Sequence, residues 1–541
     1  MLQESIKSYL IFGNKEKKSD MKTILHLFSW MYFLHRTVVM ESNVSLPMNS
    51  RVNTQHAEGI ESCDGSKNNT YSCWIGDEML SREGSFYKEL KSKADSKNVI
   101  MLAFVDFSFV EMAINLHEYS LKRLNIQNYL FVCSDHDAYE VLRRRGTNVF
   151  LYPHAIDSNI PSLFGTSQFK LKVRIKHKIL TAAVMLGFKT LLTDVDVVFF
   201  SNPIPQLSKR HNDLVIQDDM QIMSFETTFS GITSWNILNS GFLMVSPTYA
   251  GVDMLQRILK LLMTKRVNHQ PALNWVVKDM ISTNSLDITR LNIKEFPCGK
   301  EYFENEQRMF FGDQSPRGNN AIIVHNNHYY TKLGKIHRFK ETGLWTVDKN
   351  QYYSKKTGRF IMYSNPQDFG DSKRATLLKE KAALITALTI GKLLNRIVIF
   401  PKFHCHGCDS NACRRATNHC SFNAHFNVQT FDEHFDGMYR ENVFLKHPKV
   451  PKAIKTSISP KIRIFRKSFM GNVSTSDVII VSDDSDNIRA TQLKSRLSSG
   501  SLSNFSVLNF ESLYFDIKYN NPKWWNTIDQ ALSFCNYTQR C

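Results

Sequence analysis

Short apolar runs and longer amphipathic stretches alternate between residues 98 and 200. Val99 to Val105, Tyr129 to Cys133 and Val149 to Tyr152 have strand length and apolar character. Phe109 to Leu124, Asp137 to Arg145 and Lys170 to Leu186 carry helical spacing, and Gly146 and Gly187 stand where a residue tolerant of positive φ can end a helix. Thr190 to Thr193 is a fourth strand, and it delivers Asp194 and Asp196. Strand and helix in alternation predict an α/β domain with a mixed, mostly parallel sheet. In such sheets ligands bind beyond the carboxyl ends of the strands, which is where Asp194 falls.

A second pattern begins after Trp345 and the polar, Lys-rich stretch Asp348 to Gly358. Leu377 to Leu394 reads as a strong helix and Arg396 to Phe400 as a strand. Cys405 to Cys420 forms a cysteine-rich loop, and Val478 to Val481 is a further strand running into Asp483, Asp484 and Asp486. The expected organisation is an α/β domain over 96–348 and a second, smaller α/β domain over 359–541. Residues 41–95 are polar and interrupted, with only Trp74 to Phe86 offering a short helix, and read as a stem or extension. Within 1–40, the apolar stretch Ile24 to Leu34 is interrupted by His26 and Ser29 and stops at His35 and Arg36. That is short of the roughly 20 residues that span a bilayer. It reads as a weak signal anchor, as a signal peptide if translation starts at Met21, or as a buried helix.

Composition changes this picture little. Hydrophobic residues make up 42% and charged residues 22%, the balance of a folded globular chain, and 541 residues favour more than one core. The net charge of +18 suits phosphates, nucleotides, acidic glycans or anionic membranes without choosing among them. No zinc-finger spacing, paired RNA-binding strand motif or basic zipper is present, so nucleic acid is not expected as a partner. Cys405, Cys408, Cys413 and Cys420, interleaved with His404, His406 and His419, have irregular spacing for a zinc site. Two disulfides, a zinc site and free thiols all remain open there, with disulfides the default in an oxidising compartment. Lys452 to Lys467 is a basic stretch, first a solvated face and second a site for an anionic acceptor.

Chemistry concentrates at Asp194 and Asp196. If the segment is extended, the two carboxylates share a face while Val195 turns into the core. Two oxygen ligands on one face suit a hard divalent ion that also binds diphosphate and water. The other reading of a bare Asp-x-Asp is a solvated pair at a strand end. Context opposes it, because an apolar strand precedes the pair, Val197 to Phe200 follow it, and Asn202-Pro203 breaks the element.

Four stretches carry a resemblance: Leu130 to Tyr139 (LFVCSDHDAY), Thr190 to Pro203 (TLLTDVDVVFFSNP), Leu238 to Pro247 (LNSGFLMVSP) and Ile323 to Trp345 (IVHNNHYYTKLGKIHRFKETGLW). Together they resemble the nucleotide-diphospho-sugar transferase family that includes plant cell-wall arabinosyltransferases and xylosyltransferases. The resemblance implies a GT-A-like catalytic domain, a UDP-sugar donor, Mn²⁺, and transfer to a hydroxyl of a glycan or glycoprotein with retention of configuration. It implies that Asp196 ligates the ion and that Asp194 shares it or lies near the ribose. Asn239, Ser240 and Gly241 would face the donor sugar, and His325 would be a third metal ligand. The other reading of His325 is a hydrogen bond within an Asn- and Tyr-rich loop. Lys332 and Lys335 are candidate diphosphate clamps. Asp106 and Phe107 would meet the base, with Ser134 and Asp135 a further candidate turn, although Asp106 is as well placed to cap the following helix.

One departure stands out. Where the family has Asp-Gln and then Asn on an acceptor-side helix, this chain reads His269, Gln270 and Asn274. Gln270 and Asn274 keep their candidate roles, while loss of the acid leaves a catalytically inactive glycan- or nucleotide-binding protein as the alternative function. The resemblance also implies a Golgi location and a single membrane anchor with the catalytic domain in the lumen.

Overall fold

The computed structural model describes residues 70–153, 166–229, 232–265, 267–305, 320–328, 331–365, 373–404, 419, 420, 422, 425–466, 478–482, 487–513 and 516–532. Helices α1 (Thr70–Ile75), α2 (Asp77–Leu80) and α3 (Ser85–Lys93) come first. They bury Ile75, Met79, Phe86 and Leu90 in the core beneath the sheet. The last part of the expected extension is therefore packed structure, anchored by four apolar side chains in an otherwise polar stretch.

The first sheet is built from β1 (Val99–Val105), β2 (Tyr129–Cys133), β3 (Val149–Leu151), β4 (Lys189–Thr193), β6 (Leu214–Phe229), β7 (Ile232–Val245) and β8 (Ile288–Arg290), with β5 (Val197–Phe199) pairing separately with β9 (Ile323–His325). Between these run α4 (Val110–Asn115), α5 (His136–Arg144), α6 (Ser167–Met185), α7 (Ile204–Ser208), α8 (Tyr249–Thr264), α9 (His269–Ser282) and α10 (Lys332–Glu341). The strand order is β3-β2-β1-β4-β7-β6-β8. Only the two pairings of β7 are antiparallel. This is the mixed, mostly parallel α/β sheet expected. In β1, Val99, Met101, Ala103 and Val105 enter one core while Ile100 and Leu102 enter the other, so both faces are covered. That double burial explains why β1 reads as an unbroken apolar run.

The second sheet uses β10 (Phe360–Tyr363), β11 (Ile397–Ile399), β14 (Tyr439–Arg440), β15 (Ile458–Arg466), β16 (Val478–Ser482) and β18 (Val507–Phe510), in the order β14-β11-β10-β18-β15-β16. Its strand pairings are parallel. Short pairs β12 (Phe403–His404) with β13 (His419–Cys420), and β17 (Asn487–Arg489) with β19 (Asp516–Lys518), lie outside it. Helix α11 (Lys373–Leu394) buries Ala383, Leu384, Ala387 and Leu388 in its core. The basic stretch forms the short helix at Lys452–Thr456 and then β15, where Arg463 pairs with Glu511 at 2.9 Å.

The polar stretch Asp348 to Gly358 does not separate the two sheets as a free linker. Tyr353 is buried within it, stacks on His447 at 3.6 Å and packs on Phe444. Phe360, Ile399, Phe444, Val450, Ile454 and Val507 share one core with Trp345, Val347 and β1. Lys340 Nζ and the Arg440 guanidinium lie over the Tyr352 ring at 3.6 and 3.9 Å, and Tyr352 Oη donates to Glu441 Oε2 at 2.7 Å. Residues 1–40, most of the expected extension, and Cys405, Cys408 and Cys413 lie outside the described residues. Among the described residues no helix is long and apolar enough to cross a membrane.

Candidate metal and nucleotide-sugar site

Asp194 follows β4 and Asp196 precedes β5, in a turn rather than an extended strand. The turn is pinned from both sides: Asp194 N donates to Gly241 O at 2.7 Å, and Asn326 N donates to Asp196 O at 2.8 Å. Val195 enters the core, as the alternation argument expects. Antiparallel pairing sets Val197 opposite His325, so the β5–β9 ribbon carries the imidazole to the carboxylates. Ligand atoms of Asp194, Asp196 and His325 all lie within 4.8 Å of one another. His325 Nε2 is 3.4 Å from Asp196 Oδ1 and 3.8 Å from Asp194 Oδ2.

The protonation of His325 follows from Gln217, a residue with no expected role. Gln217 Nε2 donates to the carbonyls of Phe296 and Pro297, each at 3.0 Å, which turns its Oε1 toward His325 Nδ1 at 2.9 Å. Nδ1 must then carry the proton, leaving the Nε2 lone pair aimed at the two carboxylates. Two carboxylates and an imidazole in this tautomer fit a divalent transition ion.

Two lysines complete the charge balance. Lys335, on α10, places Nζ 2.5 Å from Asp196 Oδ2, and the buried Lys176, on α6, pairs with Asp194 Oδ1. Burial opposes ionisation of Asp196, but the Lys335 ammonium beside it holds its carboxyl well below the usual range. One turn earlier on α6, Lys172 pairs with Asp106 Oδ2 at 2.9 Å. Lys172 and Lys176 sit four residues apart and so share a helix face, each serving one aspartate at the end of a parallel strand.

Glycine is required at 241 by close approach. A Cβ there would overlap Asp194 Oδ2 and lie 2.6 Å from His325 Cε1. Asn239, Ser240 and Gln270 converge beside it: Asn239 Oδ1 accepts Gly241 N at 2.8 Å, and Gln270 Oε1 accepts Ser240 N and Oγ at 3.3 and 3.2 Å. Asn239 Nδ2 and Gln270 Nε2 both donate to the buried Asp219, at 2.6 and 3.1 Å. Burial pushes the Asp219 carboxyl upward, against these hydrogen bonds.

Other expected residues are placed differently. Asn274 is fully buried and clamps Leu238, accepting its N–H and donating to its carbonyl at 2.8 and 2.9 Å, so its amide supports β7 from below the loop. Asp106 is a helix cap: Oδ1 accepts Phe109 N at 3.1 Å and the Ser108 hydroxyl, and Oδ2 holds Lys172. Phe107 N donates to Asp135 Oδ2 at 2.9 Å while its ring packs on the core. Burial lowers the proton affinity of Lys332, whose charged neighbours are Glu111, Lys349 and Asp106 rather than the metal pair. His269 is buried against Phe169 and His177, with ring centroids 6.4 and 6.0 Å away, and burial holds it neutral.

Sequence comparison agrees with this geometry. Residues 124–339 match the family described as nucleotide-diphospho-sugar transferase. The match covers less than half of the chain, and the matched segment holds both aspartates, His325 and Lys335. Among curated relatives, the Arabidopsis thaliana UDP-D-xylose:L-fucose alpha-1,3-D-xylosyltransferase MGP4 is 27% identical over 280 residues, covering 49% of this chain and 75% of the relative. The beta-arabinofuranosyltransferase RAY1 of the same plant is 26% identical over 269 residues, covering 47% of this chain and 49% of the relative. The glycosyltransferase GlyE of Streptococcus pneumoniae TIGR4 aligns over 57% of this chain and 76% of its own, at 13% identity and a TM-score of 0.28.

Proposed function

We propose that this protein transfers a sugar from a UDP-sugar to a hydroxyl of a glycan or glycoprotein, with Mn²⁺ held by Asp194, Asp196 and His325 and with retention of configuration. The observation that carries the proposal is the convergence of those three ligands, with His325 held by Gln217 in the tautomer that leaves Nε2 available. A bound ion would offset the charge that gathers on the departing diphosphate. The chain's own groups do the rest. Asp196 and His325 form the buried floor of the site, and Asp194 lies more open beside them. Lys335 and Lys176 hold fixed positive charge where the diphosphate would lie, which stabilises the leaving group without reorganisation. Residues 239–241 of β7 close on Asp194 and would face the sugar, and β1 with its following turn would meet the base. The UDP-xylose named for the first relative and the arabinosyl transfer named for the second make UDP-pentoses the first donors to test.

A lumenal location is proposed on a separate observation. Cys73 is disulfide-bonded, which suits an oxidising compartment and so the Golgi setting, with the anchor placed in 1–40.

The test is a panel of UDP-sugars with and without Mn²⁺. Mn²⁺-dependent transfer or hydrolysis from one donor is expected, and Asp196→Ala should reduce it by several orders of magnitude. Full activity in Asp196→Ala would remove the metal assignment. Binding of UDP without turnover of any donor would favour the inactive binding protein instead.

A further inference from the structure

Asp219 lies on β6 two residues after Gln217, so both side chains lie on the sheet face that holds the metal cluster. Its carboxylate is 2% exposed and collects three amides. Asn239 Nδ2 and Asn327 Nδ2 each donate to Oδ1 at 2.6 Å, and Gln270 Nε2 donates to Oδ2 at 3.1 Å. A carboxylate can accept only from the NH₂ end of an amide, so one anion decides which way all three amides point. Their oxygens are thereby turned to backbone N–H groups: Asn239 to Gly241, Gln270 to Ser240, and Asn327 to Gly299 at 2.6 Å. Two of those N–H groups belong to the segment 239–241 of β7, which closes on Asp194. The third lies beside Cys298, which is bridged to His325.

We infer that Asp219 is a positioning residue for sugar transfer, acting through Asn239, Gln270 and Asn327 to fix the backbone segments that would face the donor sugar. The inference rests on the transferase reading above. Asp219 supplies from β6 a carboxylate beside Gln270, on a helix where position 269 carries a buried, neutral histidine in place of an acid. It touches no reacting atom in this account. Its effect is to hold the 239–241 segment of β7 in place, and displacement of a substrate-facing segment by about an ångström is enough to slow a reaction roughly 100-fold.

The experiment compares the full-length wild type with Asp219→Asn and with the reciprocal exchange Asp219→Asn plus Gln270→Glu. In the single variant the new side-chain NH₂ faces the Gln270 NH₂, so that hydrogen bond is lost and Gln270 is released from Ser240. In the exchange, the introduced amide donates to the introduced carboxylate, whose second oxygen can still accept from Ser240, and the total charge is unchanged. UDP affinity with Mn²⁺ is read by calorimetry, kcat and KM with the donor that the wild type uses, and the melting temperature alongside them. For Asp219→Asn, UDP affinity should stay within about threefold while kcat falls roughly 100-fold, and the exchange should recover about tenfold or more of that loss. An unchanged kcat, a loss of UDP binding in step with kcat, or no recovery in the exchange would each overturn the positioning role. A wild type that transfers from no donor would sink the transferase reading and this inference with it. An active wild type with an equally active Asp219→Asn sinks only the inference.

Discussion

Gln217 shows how much of the site is decided by residues that touch the ligands rather than the ion. Its amide is oriented by two backbone carbonyls, and that orientation selects the tautomer of His325. Replacing it by Leu keeps the volume and removes the acceptor for Nδ1–H. The imidazole can then protonate Nε2 or rotate, and a partner of this kind typically contributes roughly 10- to 100-fold in metal affinity. Gln217→Leu should therefore weaken Mn²⁺ binding by about that factor while UDP-independent stability changes little. An unchanged Mn²⁺ titration, followed by water-proton relaxation, would remove Gln217 from the account. Sequence alone nominates neither Gln217 nor Asp219, although the polar run Gln217, Asp218, Asp219 directly after the apolar Leu214 to Ile216 is a visible signal. Lys172 and Lys176 are hidden for a different reason: lysines normally point to water, and nothing local marks these two as buried counter-ions.

Among the elements, the contact between α6 and α9 carries a pH dependence. His177 is fully enclosed on α6, with burial and then Lys176 pushing it down to about 3, and His269 on α9 is lowered by burial and then by Lys176 and His177. Phe169 packs on the same cluster. Both histidines are neutral in the folded protein and titrate near about 6.5 once unfolded. Below that value the unfolded chain takes up protons that the folded chain refuses. The stabilising contribution is thus complete above about pH 6.5 and is lost as pH falls toward about 3, at up to about 1.4 kcal/mol per pH unit for each histidine. Melting temperatures from about pH 7.5 to about pH 4.5 should drop less steeply in His177→Leu than in the wild type. Parallel curves for the two proteins would mean that the imidazole is already protonated in the fold.

For the whole molecule, the two sheets are not independent bodies. Tyr353 and Phe360 enter the same core as Trp345 and β1, and α10 reaches from Lys335 at the metal pair to Glu341, which accepts Phe422 N at 3.1 Å in the second unit. A chain ending at residue 348 would expose Trp345 and Val347 and would leave the far end of α10 without its partners. Such a truncation should lose cooperative unfolding, measured by calorimetry, and bind UDP with Mn²⁺ far more weakly than the full chain. Cooperative melting at the wild-type temperature would show that the first sheet stands alone.

Much of this protein can be read along the chain. β1, β2 and α11 and the position of the two aspartates beyond a parallel strand follow from local periodicity and strand-end logic, whereas His325 joins them only through the family resemblance. Local pattern reports which residues must be buried and which backbone positions a helix or strand can occupy, and these are short-range properties. The long β6–β7 hairpin, the tautomer of His325, the two buried lysines, the amide hub on Asp219 and the joining of the sheets through Tyr353 are settled only when distant segments meet. Gln217 and His325 are 108 residues apart, as are Asp219 and Asn327. At such separations the chain carries no periodic signal, and only the folded packing determines which polar group finds which partner.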